Sequence, residues 1–240
     1  MTRPLTAPFF EIGPKNLLRR PELEAIARAA GEAGREYGVS VVLTVPTAMI
    51  APFAELGTGV LVFGQSLDAD RPGPSFGRVT AEALLDAGAD GVMLNHDAAP
   101  IDPAVLPGIV DRARDAGLGT IVCAGTEQEA LAAARLAPTA VLVEPPDLIG
   151  TIGGGDRDWV RPVTDALRGV DDRVLAMHAG GVATPLIARG IMAAGADGTG
   201  STSGILTADD PTIAAAHFIA AARAGWDDAH GAPARAATAG

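Results

Sequence analysis

The sequence predicts a single α/β domain built as a (β/α)8 barrel, and three observations carry that expectation. Short apolar runs alternate with Ala-rich amphipathic segments, the alternation occurs eight times, and 240 residues is a common length for such a barrel around one core. The runs are nearly continuous in their hydrophobicity. Strands of that kind are buried on both faces, as in a parallel sheet wrapped by helices.

In order, the expected strands are 8–13 (PFFEIG), 39–44 (VSVVLT), 59–64 (GVLVFG), 91–95 (GVMLN), 119–124 (GTIVCA), 140–144 (AVLVE), 173–179 (RVLAMHA) and 197–201 (DGTGS). Between them, Pro21 suits a first helical position before Leu23, Ile26, Ala27 and Ala30, whose spacing makes one apolar stripe. Asp210-Pro211 opens the last helix in the same way. The tetrapeptide AGAD, at 87–90 and again at 194–197, ends a helix with glycine before the next strand. No linker interrupts the units, so residues 1–226 are expected to form the barrel. Residues 227–240, small and unpatterned, are expected to form a flexible tail.

Composition excludes several function classes. A net charge of -11 offers no basic stripe for a nucleic-acid partner, so any anionic ligand must be held locally. Apolar runs stop well short of the roughly 20 residues that cross a bilayer, and no signal peptide is legible, so no membrane partner is expected. One cysteine, Cys123, fits a reducing cytoplasm and reads as a small buried hydrophobe. The four histidines, 96, 178, 217 and 230, show no i,i+4 pairing and no CxxC exists, so no metal site is expected. No hydride-transfer or other cofactor is called for. Gly153-Gly154-Gly155 lacks the rest of a phosphate-loop motif and reads as a connector.

A barrel places its chemistry at the C-terminal ends of its strands. Those ends hold Lys15, Gln65, Asn95, His96 and Glu144, with Gly180-Gly181 and Thr202-Ser203-Gly204 after the last two strands. Glu144 is the most informative, because it ends an apolar strand and opens the stiff loop VEPPDLIGT, 143–151, whose Gly150 lets it fold back. That pattern suggests a base under a lid; a solvated turn is the alternative. Lys15 alone reads more often as a solvated lysine, and His96 alone more often as a core or loop histidine.

Together these motifs resemble the triosephosphate isomerases, especially their compact archaeal-type relatives, over nearly all of residues 8–222. The resemblance rests on FEIGPK, FGQSLD, VMLNHD, TIVCAG, VEPPDLIGT, HAGGV and the Thr-Ser-Gly turn, in that order. It implies a TIM barrel and an aldose-ketose isomerase that needs no cofactor. Under it, Glu144 is the general base, His96 the neutral electrophile and Lys15 the cation that stabilises the enediolate. Backbone N-H groups at Gly150, Gly180, Gly181, Thr202 and Ser203 would cradle the substrate phosphate. The family is a familiar example of pKa tuning, with a carboxylate base and a neutral imidazole, and these roles come with the resemblance rather than from the spacing of the residues.

Departures from the family pattern bear on substrate. Gly13-Pro14-Lys15 stands where Asn-x-Lys is usual, and His96-Asp97-Ala98 lacks the glutamate common two residues after the histidine. Asp97 or Glu11 could take over as the carboxylate beside Lys15. Ile152 stands where the loop usually has glycine, and His178 adds a titratable group that either packs in its strand or meets an extra substrate hydroxyl. A smaller residue at Gly13 with a polar His178 would suit a four-carbon ketose phosphate as well as a triose phosphate. Two other readings stand beside these: a non-catalytic phosphometabolite-binding barrel, and a Schiff-base aldolase using Lys15. The interval 65–77, with Phe76 near its tip, has the length of the family's inserting loop. It implies a homodimer, with a tetramer as the alternative.

Overall fold

The computed structural model describes residues 2–149 and 157–231. Eight parallel strands close in sequence order into a barrel: β1 (Phe9–Ile12), β2 (Ser40–Val45), β3 (Leu61–Gly64), β4 (Gly91–Leu94), β5 (Gly119–Ala124), β6 (Ala140–Val143), β7 (Leu175–His178) and β8 (Gly198–Ser201). Around them lie α1 (Arg20–Tyr37), α2 (Ile50–Glu55), α3 (Ala81–Asp86), α4 (Leu106–Ala116), α5 (Glu127–Ala134), α6 (Val160–Val170), α7 (Pro185–Ala193), the one-turn α8 (Ser203–Leu206) and α9 (Pro211–His230). The expected (β/α)8 barrel is the observed fold, with strand ends shifted by at most two residues. Among the described residues, no helix is long and apolar enough to cross a membrane.

Pleating sorts each strand into an inward and an outward row. Phe10 points outward, its ring 6.0 Å from that of Phe218 on α9. Phe9 points inward, and the glycine at the start of β8, Gly198, makes room for its ring: a Cβ built there would collide with it. Phe63 fills the interior in the same way over Gly91 and Gly119, which begin β4 and β5. Glu11 lies on the same side of β1 as Phe9 and therefore also faces inward.

The two AGAD segments do more than end helices. Asp90 N-H donates to Val62 O at 2.8 Å while its Oδ2 accepts from Val62 N-H at 2.9 Å. Asp197 repeats the pattern with Ala176, at 2.8 Å in both directions. Each aspartate thereby clamps the strand before its own. The pairings so clamped, β3–β4 and β7–β8, have only two registered residue pairs each. Arg3 holds Asp90 through Nη2 at 2.6 Å, and Arg168 holds Asp197 at 3.0 Å.

The barrel does not end at residue 226 as the sequence suggests. Helix α9 continues to His230, because the charged residues that read as unpatterned are paired: Asp227 with Arg223 at 2.9 Å, and Asp228 with Arg189 on α7 at 2.8 Å. The rest of the expected tail, 232–240, lies outside the described residues. Gly225 lets α9 approach α7, since a Cβ there would meet the Arg189 carbonyl.

Candidate active site

Backbone geometry shapes the rim first. Lys15 and Asn95 both have positive φ, 51° and 58°, so the chain turns sharply as it leaves β1 and β4. Gln65, after β3, holds the first turn: its Nε2 donates to Lys15 O at 3.1 Å and to Thr44 O at 3.3 Å. Asn95 spans the second, with Nδ2 donating to Cys123 O and Oδ1 accepting from Ile101 N-H, both at 3.0 Å. These two amides fix Lys15 and His96, the residues the sequence singles out beside them.

His96 Nδ1 accepts the Ala98 N-H at 3.0 Å. A nitrogen that accepts carries no proton, so the imidazole proton resides on Nε2 and the ring is neutral. Burial pushes its pKa down, the Lys15 charge pushes the same way, and Asp97 opposes. The site therefore offers a neutral N-H donor with a fixed tautomer.

Glu144 continues the β5–β6 ladder by one residue, its N-H donating to Ala124 O at 2.9 Å. Pro145 and Pro146 then lead into a single 3-10 turn, Pro146–Leu148. Beneath that turn Gly125 meets the Pro146 ring, and Glu129 Oε2 braces the Gly125 and Thr126 amides at 2.8 and 3.1 Å. Burial raises the Glu144 pKa; Lys15 opposes, Asp97 adds, and the nearby Gly180 amide opposes. Gly180, which the sequence places among the phosphate ligands, lies beside the Glu144 side chain. Its φ of 90° turns it toward Glu144 and Leu148.

Gly181, with φ 61°, follows in the same turn. Thr202 caps α8, with Oγ1 donating to Gly13 O at 2.9 Å, and Ser203 is exposed at the first position of that turn. Gly13, Gly181, Thr202 and Ser203 thus share the mouth with Lys15. Gly150 and Ile152 lie outside the described residues. Neither Asp97 nor Glu11 forms an ion pair with Lys15 in the described structure, although both carboxylates make themselves felt at the mouth.

His178 is a correction. It points outward from β7 into the layer beneath α6, where Nε2 lies 2.8 Å from Thr164 Oγ1 and Trp159 packs against the ring edge-on at 5.1 Å. It is the packed strand histidine and not a substrate contact. Burial pushes its pKa from 6.5 down to about 3. Below pH 6.5 the unfolded chain takes up a proton that the folded chain refuses, so stability falls on acidification through the window from 6.5 to about 3. The slope from this residue is at most about 1.4 kcal/mol per pH unit. His178→Gln is expected to remove that share, seen as a smaller drop in Tm between pH 7 and 4.5. Equal acid sensitivity in the two proteins would contradict the assignment.

Two further residues near the site are not among the candidate catalytic or binding residues read from the sequence. Arg157 donates from Nη2 to the carbonyls of Gly180 and Gly181 at 2.7 and 3.4 Å, holding the β7 turn from outside; nothing in GDRDW signals it. Glu11 enters the sequence reading only as a neighbour for Lys15, yet an acid within an apolar strand is itself a signal.

A carboxylate with a raised pKa, a neutral imidazole and an ammonium at one barrel mouth are the equipment of an acid-base enzyme working on a small anionic molecule. The family model described as triosephosphate isomerase matches residues 16–219. Triosephosphate isomerase of Methanopyrus kandleri is 35% identical over 198 residues, spanning 81% of this chain and 88% of that protein. The enzyme of the same name from Sulfurisphaera tokodaii is 30% identical over 196 residues, 81% of this chain and 85% of that one. The crystal structure of triosephosphate isomerase from Bartonella henselae superposes with a TM-score of 0.68 at 21% identity, over 88% of this chain and 99% of that one; this likeness concerns the fold. The chain belongs to the triosephosphate isomerase family, a family of isomerases.

Proposed function

We propose that the chain interconverts a phosphorylated three-carbon ketose and aldose, by proton transfer through an enediolate. Glu144 removes the proton from the carbon beside the carbonyl, His96 donates from Nε2 to the oxygens of the enediolate, and Lys15 offsets the negative charge that develops there. The observation that carries this reading is the His96 tautomer, fixed by the Ala98 amide, at the same mouth as a buried carboxylate whose pKa lies above its ordinary value. The amides of Gly180, Gly181, Thr202 and Ser203, together with Gly150, would hold the phosphate dianion.

The four-carbon alternative loses both of its supports. The space left by the missing side chain at Gly13 is taken by the Glu11 carboxyl, with Oε1 2.9 Å from where a Cβ would stand, and His178 lies behind the sheet. Dihydroxyacetone phosphate is therefore expected to turn over faster than erythrulose phosphates. Efficient tetrulose conversion with negligible triose turnover would reverse the assignment, and turnover of neither would favour the non-catalytic binding barrel. Borohydride trapping of substrate on Lys15 would be needed for the aldolase reading.

A homodimer in a cytoplasmic setting belongs to the same proposal, and a tetramer is its alternative. Phe76 is fully exposed in the isolated chain, and Leu17, near Lys15 in sequence, is 65% exposed. Large apolar side chains on the rim loops suit burial against a second copy.

A further inference from the structure

Glu11 sits inside the barrel wall at 6% exposure, and the chain clears space for it on two sides. A Cβ at Gly13, beyond it on β1, would stand 2.9 Å from Glu11 Oε1; a Cβ at Gly200, across on β8, would stand 2.9 Å from Oε2. The carboxyl thus occupies the place where residue 13 would otherwise project a side chain. Oε1 is buried and has no hydrogen-bond partner, and Glu11 forms no ion pair among the described residues.

The groups that face it come from every neighbouring wall. The Thr44 hydroxyl on β2 lies close but makes no hydrogen bond of normal geometry, Glu144 stands at the end of β6, and Lys15 stands beyond β1. The Cys123 thiol on β5 senses Glu11, Glu144 and Lys15 together, and the Met177 methyl on β7 shares the space over Gly200. A buried, unpaired carboxylate beside a second carboxylate is costly, whereas a neutral carboxylic acid there is not, and the acid carries a proton it can donate.

We propose that Glu11, as a carboxylic acid, is a substrate-binding residue of this site, donating a hydrogen bond to the substrate oxygen that becomes negative as the enediolate forms. The role rests on the enediolate reading given above. A donor aimed at developing charge favours the transition state over the ground state. An amide side chain from position 13 would offer the same kind of donor, but one that does not titrate. Burial, against the Thr44 hydroxyl and with Glu144 adding and Lys15 opposing, pushes the Glu11 pKa up to about 7. The donor is present below that value and lost as pH rises through it.

The test is the affinity for 2-phosphoglycolate, a stable phosphorylated mimic of the enediolate, measured by calorimetry from pH 6 to 9 on the wild type, Glu11→Gln and Glu11→Leu. Glu144 and the phosphate contribute their own pH dependence to all three, so the differences carry the result. Wild-type affinity is expected to fall more steeply than that of Glu11→Gln, by up to about tenfold more per pH unit above 7. Glu11→Leu, of similar volume, is expected to bind about 10- to 100-fold more weakly at pH 6.5. Equal slopes for the wild type and Glu11→Gln overturn the proposal, and that comparison stands whether or not Glu11→Leu folds. Turnover of dihydroxyacetone phosphate is recorded alongside. Its absence in the wild type defeats the isomerase reading and leaves the binding comparison to decide Glu11; normal turnover with equal slopes defeats the role of Glu11 alone.

Discussion

Glu144→Gln is expected to lower kcat for triose phosphate isomerisation by about 10²- to 10⁴-fold, with KM changed little. Glutamine keeps the length and shape of the side chain, so the loop turn at Pro146–Leu148 is expected to be retained. What it cannot do is take a proton from carbon. The direct measurement is incorporation of solvent deuterium into recovered substrate, which needs the base but not completed turnover. An unchanged exchange rate in the variant would remove Glu144 from the mechanism. The wild-type pH profile carries a second mark of the same residue. As the proposed base Glu144 would act in its ionised form, and burial holds its pKa above the ordinary carboxylate value. Activity is therefore expected to fall on acidification at a higher pH than an exposed glutamate would give, and Glu144→Gln is expected to lack that limb.

The largest stability effect is expected where Phe9 fills the barrel interior. Phe9 is fully buried and its ring lies over Gly198. Phe9→Ala is expected to cost about 3–5 kcal/mol, the sum of lost transfer energy and a cavity that surrounding strands cannot close. Gly198→Ala errs in the opposite sense by pushing a methyl group into the ring, and is expected to cost about 1–3 kcal/mol. Because each change supplies what the other lacks, the double variant is expected to be more stable than the sum of the two losses implies, by about 1 kcal/mol or more. Urea denaturation of the four proteins gives the coupling. Strict additivity would mean that the ring does not depend on the glycine for its place.

Seven of the eight strands are legible in the sequence because each is buried on both faces, which leaves an apolar run with few polar interruptions; β8, Gly-Thr-Gly-Ser, is legible only from its place in the alternation. The same property hides the direction of the polar residues within them. Glu11 in PFFEIG and His178 in LAMH both interrupt apolar strands, yet one points to the barrel axis and the other to the helix layer. On a strand with one wet face, alternation tells inside from outside. In a barrel wall it does not, so a reading of His178 as a substrate contact and of Glu11 as merely a neighbour of Lys15 is open to reversal once register is known. Lys15, His96 and Glu144 are legible because strand ends in this fold have one destination. The end of α9 escapes the sequence for another reason. Its last turn is held by ion pairs from Asp227 and Asp228 to arginines, one of them 39 residues away, and pairing at that separation leaves no local pattern.

The clamps made by Asp90 and Asp197 sit at the opening ends of β4 and β8, on the face of the barrel away from Glu144 and His96. The two seams with the fewest registered pairs are thus closed at the end opposite the candidate site. Such a division frees the opposite end to vary. Loops there can exchange an amide for a glycine, or lose a carboxylate beside a lysine, without loosening the seams, which is the latitude a lineage needs to retune its chemistry while keeping its fold.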